Sequence, residues 1–478
     1  MKPFATEAEK QECREMIGLL RGTPPEQLAA DGERATIEAF QRTLRSVPAY
    51  RKVVAETAGG VPQAVGDLDA FKRHAPLLDK HNTFAARNVR ELCVGGTIEG
   101  VRSILTSSGH SGVFSFGVNT AENLARSAQS IDMGLQYIFG IDEHSTLLIN
   151  ALPMGVKVHT RGTVLAETSV RDDMVYALVK QFAAEFDQIA IVGEASFLKK
   201  IIEDGAELHG IDWPRLRVNL ITGEEGIAEN YRDYIGRLIG IADPGRPGEK
   251  YIISSMGVAE LDLNIFHETL DTIVIRRLAH RDPALRRALF GSAARVCPML
   301  FAYYPHRCFV ETLADDEEPS ELVISMLSEQ MKIPLLRYRS GDIGRVFRYG
   351  EMVELLKSFG HAIAPDLKLP FVAVYGRGHR VAVGAGSLFP EEVKEAIYAD
   401  HAIAAALTGN FRIAKTAGDG VDIALQLRKD KRPPADAAEQ LSIHLAAYNP
   451  LKPAIRFISY GEFPYAMEID YERKFRYV

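Results

Sequence analysis

Ser145-Thr146-Leu147-Leu148-Ile149-Asn150-Ala151 is a mostly apolar run of one strand's length. It is apolar at alternate and at intervening positions, which suits a strand covered on both faces. It opens a series. Asp173–Phe186 has helical spacing, Ile189–Val192 is strand-like and Phe197–Glu203 is helical. Leu216–Ile221 is strand-like, Ala228–Ile239 helical and Tyr251–Ser255 strand-like. Strands alternating with helices predict an α/β fold, with a mostly parallel sheet covered by helices.

The flanks differ from this centre. Residues 7–75 read as helices broken at Pro24-Pro25 and Gly59-Gly60. Met299–Tyr304, Cys308–Leu313 and Leu322–Met326 are short strand-like runs, which predict a β-subdomain, an antiparallel sheet or barrel attached to the α/β body. Beyond Gly376 the pattern is α+β, with strands near 381, 411, 422 and 455 and helices near 391 and 435. Two domains follow: a large body over 1–375 and a small mobile unit over 376–478.

The chain has 478 residues, enough for two to four domains. A net charge of −7 argues against a nucleic-acid binder. No apolar run approaches the length of a membrane span. The N-terminal stretch has no apolar signal core, and there are only four cysteines. Both point to a reducing, cytoplasmic setting.

Three segments carry chemistry. Leu105-Thr106-Ser107-Ser108-Gly109-His110-Ser111-Gly112 follows strand-like Val101–Leu105 and precedes a helical stretch from Ala121. Glycines let backbone N–H groups approach an anion and hydroxyls add donors, so the loop suits a polyphosphate. Taken alone, a surface turn is the simpler account. Val118-Asn119 stands where a Walker loop needs Lys-Ser/Thr. The second segment, Arg337–Arg345, places Asp342 beside a glycine, where a carboxylate can accept from two ribose hydroxyls. The third, Tyr375–Arg380 followed by Gly384–Val393, has two glycine clusters at the domain boundary and reads as a hinge.

In this order the segments resemble the motifs of the adenylate-forming enzymes, which include acyl- and aryl-CoA ligases, peptide-synthetase adenylation domains and luciferase. Ser107–Gly112 resembles their phosphate loop, and Tyr338–Asp342 their Y-R-T-G-D. Gly376–Arg380 resembles their G-R-x-D-D, and Gly386–Val393 the following G-x-x-x-x-P-x-x-V/I-E. Within the superfamily the chain is most similar to the phenylacetate–CoA ligase branch. The resemblance implies ATP, magnesium and CoA, and a small carboxylic acid as substrate. It implies that Ser107, Ser108, Gly109, His110, Ser111 and Gly112 cradle phosphate. Thr222, Gly223 and Glu224, with Met256 and Gly257, would line the adenine site. Glu260 would hold magnesium, Asp342 and Arg377 the ribose. His379 would sit at the hinge, Pro153, Met154 and Gly155 beside the acyl group, and Lys474 would be the catalytic lysine.

The chain departs from that pattern. His110 replaces a loop threonine, Val113 a lysine and Met256 an aromatic residue. Ala259 replaces a hydroxyl residue, His379 the hinge aspartate and Glu472-Arg473 the glycine before the terminal lysine. The resemblance implies adenylation of the acid with ATP and transfer of the acyl group to the CoA thiol; a carrier-protein thiol or an amine is the alternative acceptor, and Val113, Met256 and Ala259 favour a further alternative, a degenerate, non-catalytic member. The branch suggests an aromatic or heteroaromatic acid, and these specialised members often serve secondary metabolism. Cys297, His306 and Cys308, with His267 as a fourth ligand, have spacing that structural zinc could use. A homodimer through the helical N-terminus is left open.

Overall fold

A computed structural model describes residues 6–58, 60–62, 64–107, 112–153, 156–314, 318–384, 386–416, 418 and 420–463. Thr146–Asn150, Gln188–Gly193 and Val218–Thr222 are buried at every position and pair in parallel. Ile252–Val258 joins this set in parallel beside Val218–Thr222. Val164–Glu167 closes the other edge, parallel to Thr146–Asn150. This edge strand is half-exposed and polar-ended, so it lacks the apolar run that marks its neighbours.

The antiparallel strands attach directly to this parallel set. Leu261 N–H donates to Val258 O at 2.8 Å, closing a tight turn after Ile252–Val258. The chain returns at once as Asp262–His267, antiparallel to it. That hairpin takes the edge where another parallel strand would pair, because only a tight turn can join antiparallel neighbours so directly. Met299–Ala302, Phe371–Gly376, Tyr338–Phe347, Ser320–Met326 and Cys308–Thr312 then follow in spatial order. The result is one eleven-stranded sheet, parallel at one end and antiparallel at the other. The antiparallel strands expected beyond residue 298 are present, and they continue the parallel strands edge to edge.

The N-terminal helices are Glu7–Gly22, Pro25–Ser46, Pro48–Ala58 and Leu68–His74. The first packs on helix Ala121–Phe139 and the second on strand Cys308–Thr312. Past the main sheet, Leu407–Lys415, Val421–Leu427 and Ala454–Ile458 form a three-stranded sheet with helices Pro390–Ala399 and Ala437–Ala446. Val393, Ile397 and Leu407 from these elements share one buried apolar cluster with Leu198 and Tyr231 of the preceding elements. Among the described residues, no helix is long and apolar enough to cross a membrane.

Candidate functional site

The carboxyl ends of parallel strands are where ligands bind in open α/β sheets. Here those ends carry Gly193, Thr222 and the loop that follows it. Thr222 is fully buried, and its hydroxyl donates to Ile253 O at 3.2 Å. Gly223 N–H donates to Gly193 O at 3.1 Å, tying two strand ends together. Glu224 holds φ at 72°, unusual for a residue with a side chain. A Cβ on Gly223 would stand 3.5 Å from Leu152, so the segment leading to Pro153 lies against this loop. Asn150 fixes that segment: its amide donates to Val156 O at 2.8 Å and its carbonyl accepts from Leu152 N at 3.2 Å.

The phosphate-loop segment spans a hairpin rather than a strand-to-helix turn. Val101–Thr106 pairs antiparallel with Phe116–Thr120, and helix Ala121–Phe139 starts only after the second strand. Ser107 and Ser115 close the base of the loop: Ser107 N donates to Ser115 O and Ser115 N to Ser107 Oγ, each at 3.0 Å. Gly112 has φ 78°, suited to glycine. Ser108, Gly109, His110 and Ser111 lie outside the described residues, as do Met154, Gly155 and Lys474.

Gly117, on the hairpin's second strand, brings that strand onto the turn that carries Glu260. A Cβ there would stand 2.1 Å from Ala259 O, so only glycine allows the strand to lie on this turn. Gly257 does the same within the turn, where a Cβ would meet Leu263 O at 2.2 Å. Met256 is half-buried and packs on the main apolar cluster.

Glu260, 3% exposed, accepts from the Tyr338 hydroxyl through Oε1 at 2.7 Å. Burial, the Glu260 charge and this hydrogen bond push the Tyr338 phenol well up, so it remains a donor. Lys80 Nζ stands 3.8 Å from the same Oε1. Lys80 is held there by its backbone. Leu78 N donates to Arg337 O at 2.9 Å, and Arg339 N to Leu78 O at 2.8 Å. Asp79 accepts from His81 N and Asn82 N, both at 2.8 Å. The sequence reading missed Lys80. The signal was faint: a lysine inside Asp79-Lys80-His81-Asn82, a polar turn between apolar runs.

The strand that carries Tyr338 also carries Asp342, which is 8% exposed. The last ladder pair with the neighbouring strand is Ile343 and Gly376. Asp342 and Arg377 are the next residues outward on the two strands. Arg377 is exposed, and its charge acts on the Tyr338 phenol. Gly376 at φ 71° and Gly378 at φ 64° flank it, so the chain turns on two left-handed glycines before His379, which is exposed.

Glu260 Oε2 takes no hydrogen bond among the described residues, so the carboxylate keeps an oxygen that suits a magnesium ion. The zinc ligands do not assemble. Cys297 lies in a different apolar cluster from Cys308. Cys297 Sγ donates to Arg276 O and Cys308 Sγ to Tyr304 O. Burial pushes the Cys308 thiol up to about 12, which keeps it protonated. Among the described residues no three His, Cys, Asp or Glu side chains could hold a metal ion.

No family model matches the chain, and no curated protein matches it. Solved structures do. A 2-hydroxyisobutyryl-CoA ligase in the postadenylation state with R3-HIB-AMP superposes with a TM-score of 0.68 at 12% identity, over 96% of this chain and 91% of that one. The same ligase with 2-HIB-AMP gives 0.66 at 13% identity, over 92% and 88% of the two chains. In complex with 2-HIB-AMP and CoA in the thioesterification state it gives 0.56 at 12% identity, over 95% and 91%. At these identities the likeness is one of fold: the chain has the fold of the adenylate-forming CoA ligases.

Proposed function

We propose that the chain activates a carboxylic acid with ATP, forming an acyl-AMP and pyrophosphate, and passes the acyl group to the CoA thiol. The observation that carries this reading is a convergence. The hairpin of the phosphate loop, the Glu260 turn, Lys80 and the Tyr338–Asp342 strand meet, although they lie far apart in sequence. Ordinary packing does not require a buried carboxylate, a phenol and an ammonium group beside the Val101–Thr106 and Phe116–Thr120 hairpin.

Each group has work in such a reaction. A carboxylate is a poor electrophile, and its attack on the α-phosphate joins two anions. The transition state needs fixed donors and cations aimed at that phosphate. The loop hydroxyls and N–H groups of Ser107–Gly112 would hold phosphate, and Glu260 would hold magnesium, which supplies charge neutralisation. Asp342 and Arg377 would grip the ribose. The Thr222–Glu224 segment, Met256 and Gly257 would flank the adenine, and Pro153 with Met154 and Gly155 the acid. Lys474 would reach the α-phosphate from a small mobile unit over 376–478, turning on the glycines beside His379. The proposed acid is aromatic or heteroaromatic.

Ala259 favours a second reading. It has no hydroxyl for the α-phosphate, and its carbonyl faces Gly117. A specialised member using a carrier-protein thiol or an amine, or a non-catalytic nucleotide binder, fits this loss. One experiment separates these readings: pyrophosphate release with MgATP across aryl, heteroaryl and aliphatic acids, with and without CoA. Acid-dependent release that rises with CoA is the expected result. Acid-dependent release indifferent to CoA moves the assignment to another acceptor. ATP binding without release on any acid overturns the enzymatic reading.

A further inference from the structure

Helix Glu229–Ile239 begins without a cap of its own, since Ala228 at the N-cap position offers no side-chain acceptor. The first N–H groups of a helix need acceptors, and burying them unpaired is costly. Here the acceptor comes from helix Pro390–Ala399. Glu395 Oε1 accepts from Glu229 N at 2.9 Å, and Oε2 from Asn230 N at 3.1 Å. Asn230 Nδ2 donates back to Glu395 O at 2.9 Å. Glu395 is 1% exposed.

Lys394, the preceding residue, reaches the loop just before that helix. Its Nζ donates to Glu225 Oε2 at 2.7 Å and to Gly226 O at 3.2 Å. Glu225 directly follows Thr222-Gly223-Glu224, and it needs a cation. Glu194, half-buried, stands beside it, and desolvation with the Glu225 charge pushes the Glu194 carboxyl up to about 8. The motif that Gly386–Val393 resembles ends in an acid, and this chain has Lys394 there instead. The adjacent, oppositely charged residues thus hold two features of one loop–helix junction.

We propose that Lys394 and Glu395 are positioning residues, a two-residue latch by which the C-terminal elements grip the 225–230 segment. Moving those elements off the body then requires Lys394 to leave Glu225 and the 229–239 helix to lose its cap. The kinetic consequence rests on the adenylating reading, because only there does the C-terminal unit change position between half-reactions. The structural consequence does not.

The test uses the full chain with Lys394→Gln, Glu395→Gln, and the exchanged pair Lys394→Glu with Glu225→Lys. Amide hydrogen exchange is followed at 225–232 and in the 188–193 and 218–222 strands. Each single variant should exchange about tenfold faster at 225–232 with the strands unchanged, and the exchanged pair should regain part of the protection. Unchanged protection at 225–232 in both single variants overturns the latch. Loss of protection throughout the strands also overturns it, because the contact is then part of the global core. An exchanged pair no better protected than Lys394→Gln overturns the role of Lys394. This readout needs no substrate, so failure of the latch and failure of the adenylating reading are told apart. Where acid-dependent pyrophosphate exchange is found, Glu395→Gln should shift it by at least about threefold relative to acyl transfer from supplied acyl-AMP. Equal falls in both half-reactions overturn the positioning role.

Discussion

Tyr338 and Lys80 approach the same oxygen of Glu260, and they differ in what each can do there. Tyr338 is fully buried and hydrogen-bonded at 2.7 Å, so it fixes the carboxylate. Lys80 at 3.8 Å is too far for a hydrogen bond to Glu260, and in the proposed reaction its charge would act on a phosphate bound beside that carboxylate. Lys80→Met should therefore lower acid-dependent pyrophosphate exchange about 100-fold, as loss of an aimed transition-state donor does. Lys80→Arg should restore part of it. Equal rates in wild type and Lys80→Met would remove Lys80 from the site. His267 makes a separate prediction. Burial, with Arg307 adding to it, pushes its imidazole down to about 4 from 6.5, and Nε2 has no hydrogen-bond partner among the described residues. Between those values the unfolded chain holds a proton that the folded chain lacks. Stability should fall as pH drops from 6.5 toward 4, by about 1.4 kcal/mol per pH unit for this ring. His267→Phe should flatten that part of the slope in urea unfolding at pH 7 and pH 5.

At the scale of elements, two glycines decide whether the site forms. Gly117→Ala would drive a Cβ into the Ala259 carbonyl, now 2.1 Å from that position. The neighbour is backbone and cannot rotate away, so the hairpin must lift from the Glu260 turn. The expected cost is about 1–3 kcal/mol in urea unfolding, with a larger proportional loss of pyrophosphate exchange than Gly112→Ser shows. The Gly117–Ala259 approach was not legible in the sequence, because it joins residues distant along the chain, and the Gly257–Leu263 approach depends on how tightly the hairpin turns. The parallel strands were legible: runs such as Thr146–Asn150 are buried at every position and apolar at their centre, Leu147–Ile149. The edge strand Val164–Glu167 was not, since it is only four residues long and none of them is fully buried. The continuity of the sheet was also hidden. It depends on how Asp262–His267 pairs with its neighbours, which composition does not encode. The order of the motifs was readable, and so was the glycine turn around Arg377; Asp342, expected at a strand end, lies inside strand Tyr338–Phe347. The contact between Lys80 and Glu260 required the Leu78–Tyr338 bridge, a pairing across most of the chain.

For the whole molecule, the question is how firmly the C-terminal elements are joined to the rest. Arg428 answers it most directly. From the end of strand Val421–Leu427 it reaches helix Ala195–Glu207, where its guanidinium meets Asp204 Oδ1 at 2.7 Å, Glu207 Oε2 at 3.0 Å and Glu203 Oε2 at 3.2 Å. Beside it Lys199, fully buried, donates to Leu407 O at 2.5 Å and to Glu203 at 2.6 Å. Burial pushes Glu203 up, while Lys199 and Arg428 oppose that rise. Removing the guanidinium leaves buried Glu203 to Lys199, while Asp204 keeps Lys200 and Glu207 keeps Lys431. Breaking a buried pair from one side typically costs about 3–5 kcal/mol, because the remaining charge stays buried. Arg428→Ala should therefore lower the urea-unfolding free energy by an amount near that range. Arg428→Lys should recover little, since one ammonium cannot meet three acids in a fixed fork. The double variant Arg428→Ala with Glu203→Gln should recover more, because it removes the stranded charge as well. Unfolding followed separately by the lone Trp213, fully buried against the same helix, and by far-ultraviolet circular dichroism shows how the loss is distributed. A common midpoint for both signals in Arg428→Ala means that the C-terminal elements share one cooperative unit with the body. Separate midpoints mean that these ion pairs were the main tie, and that the small unit moves once they are gone.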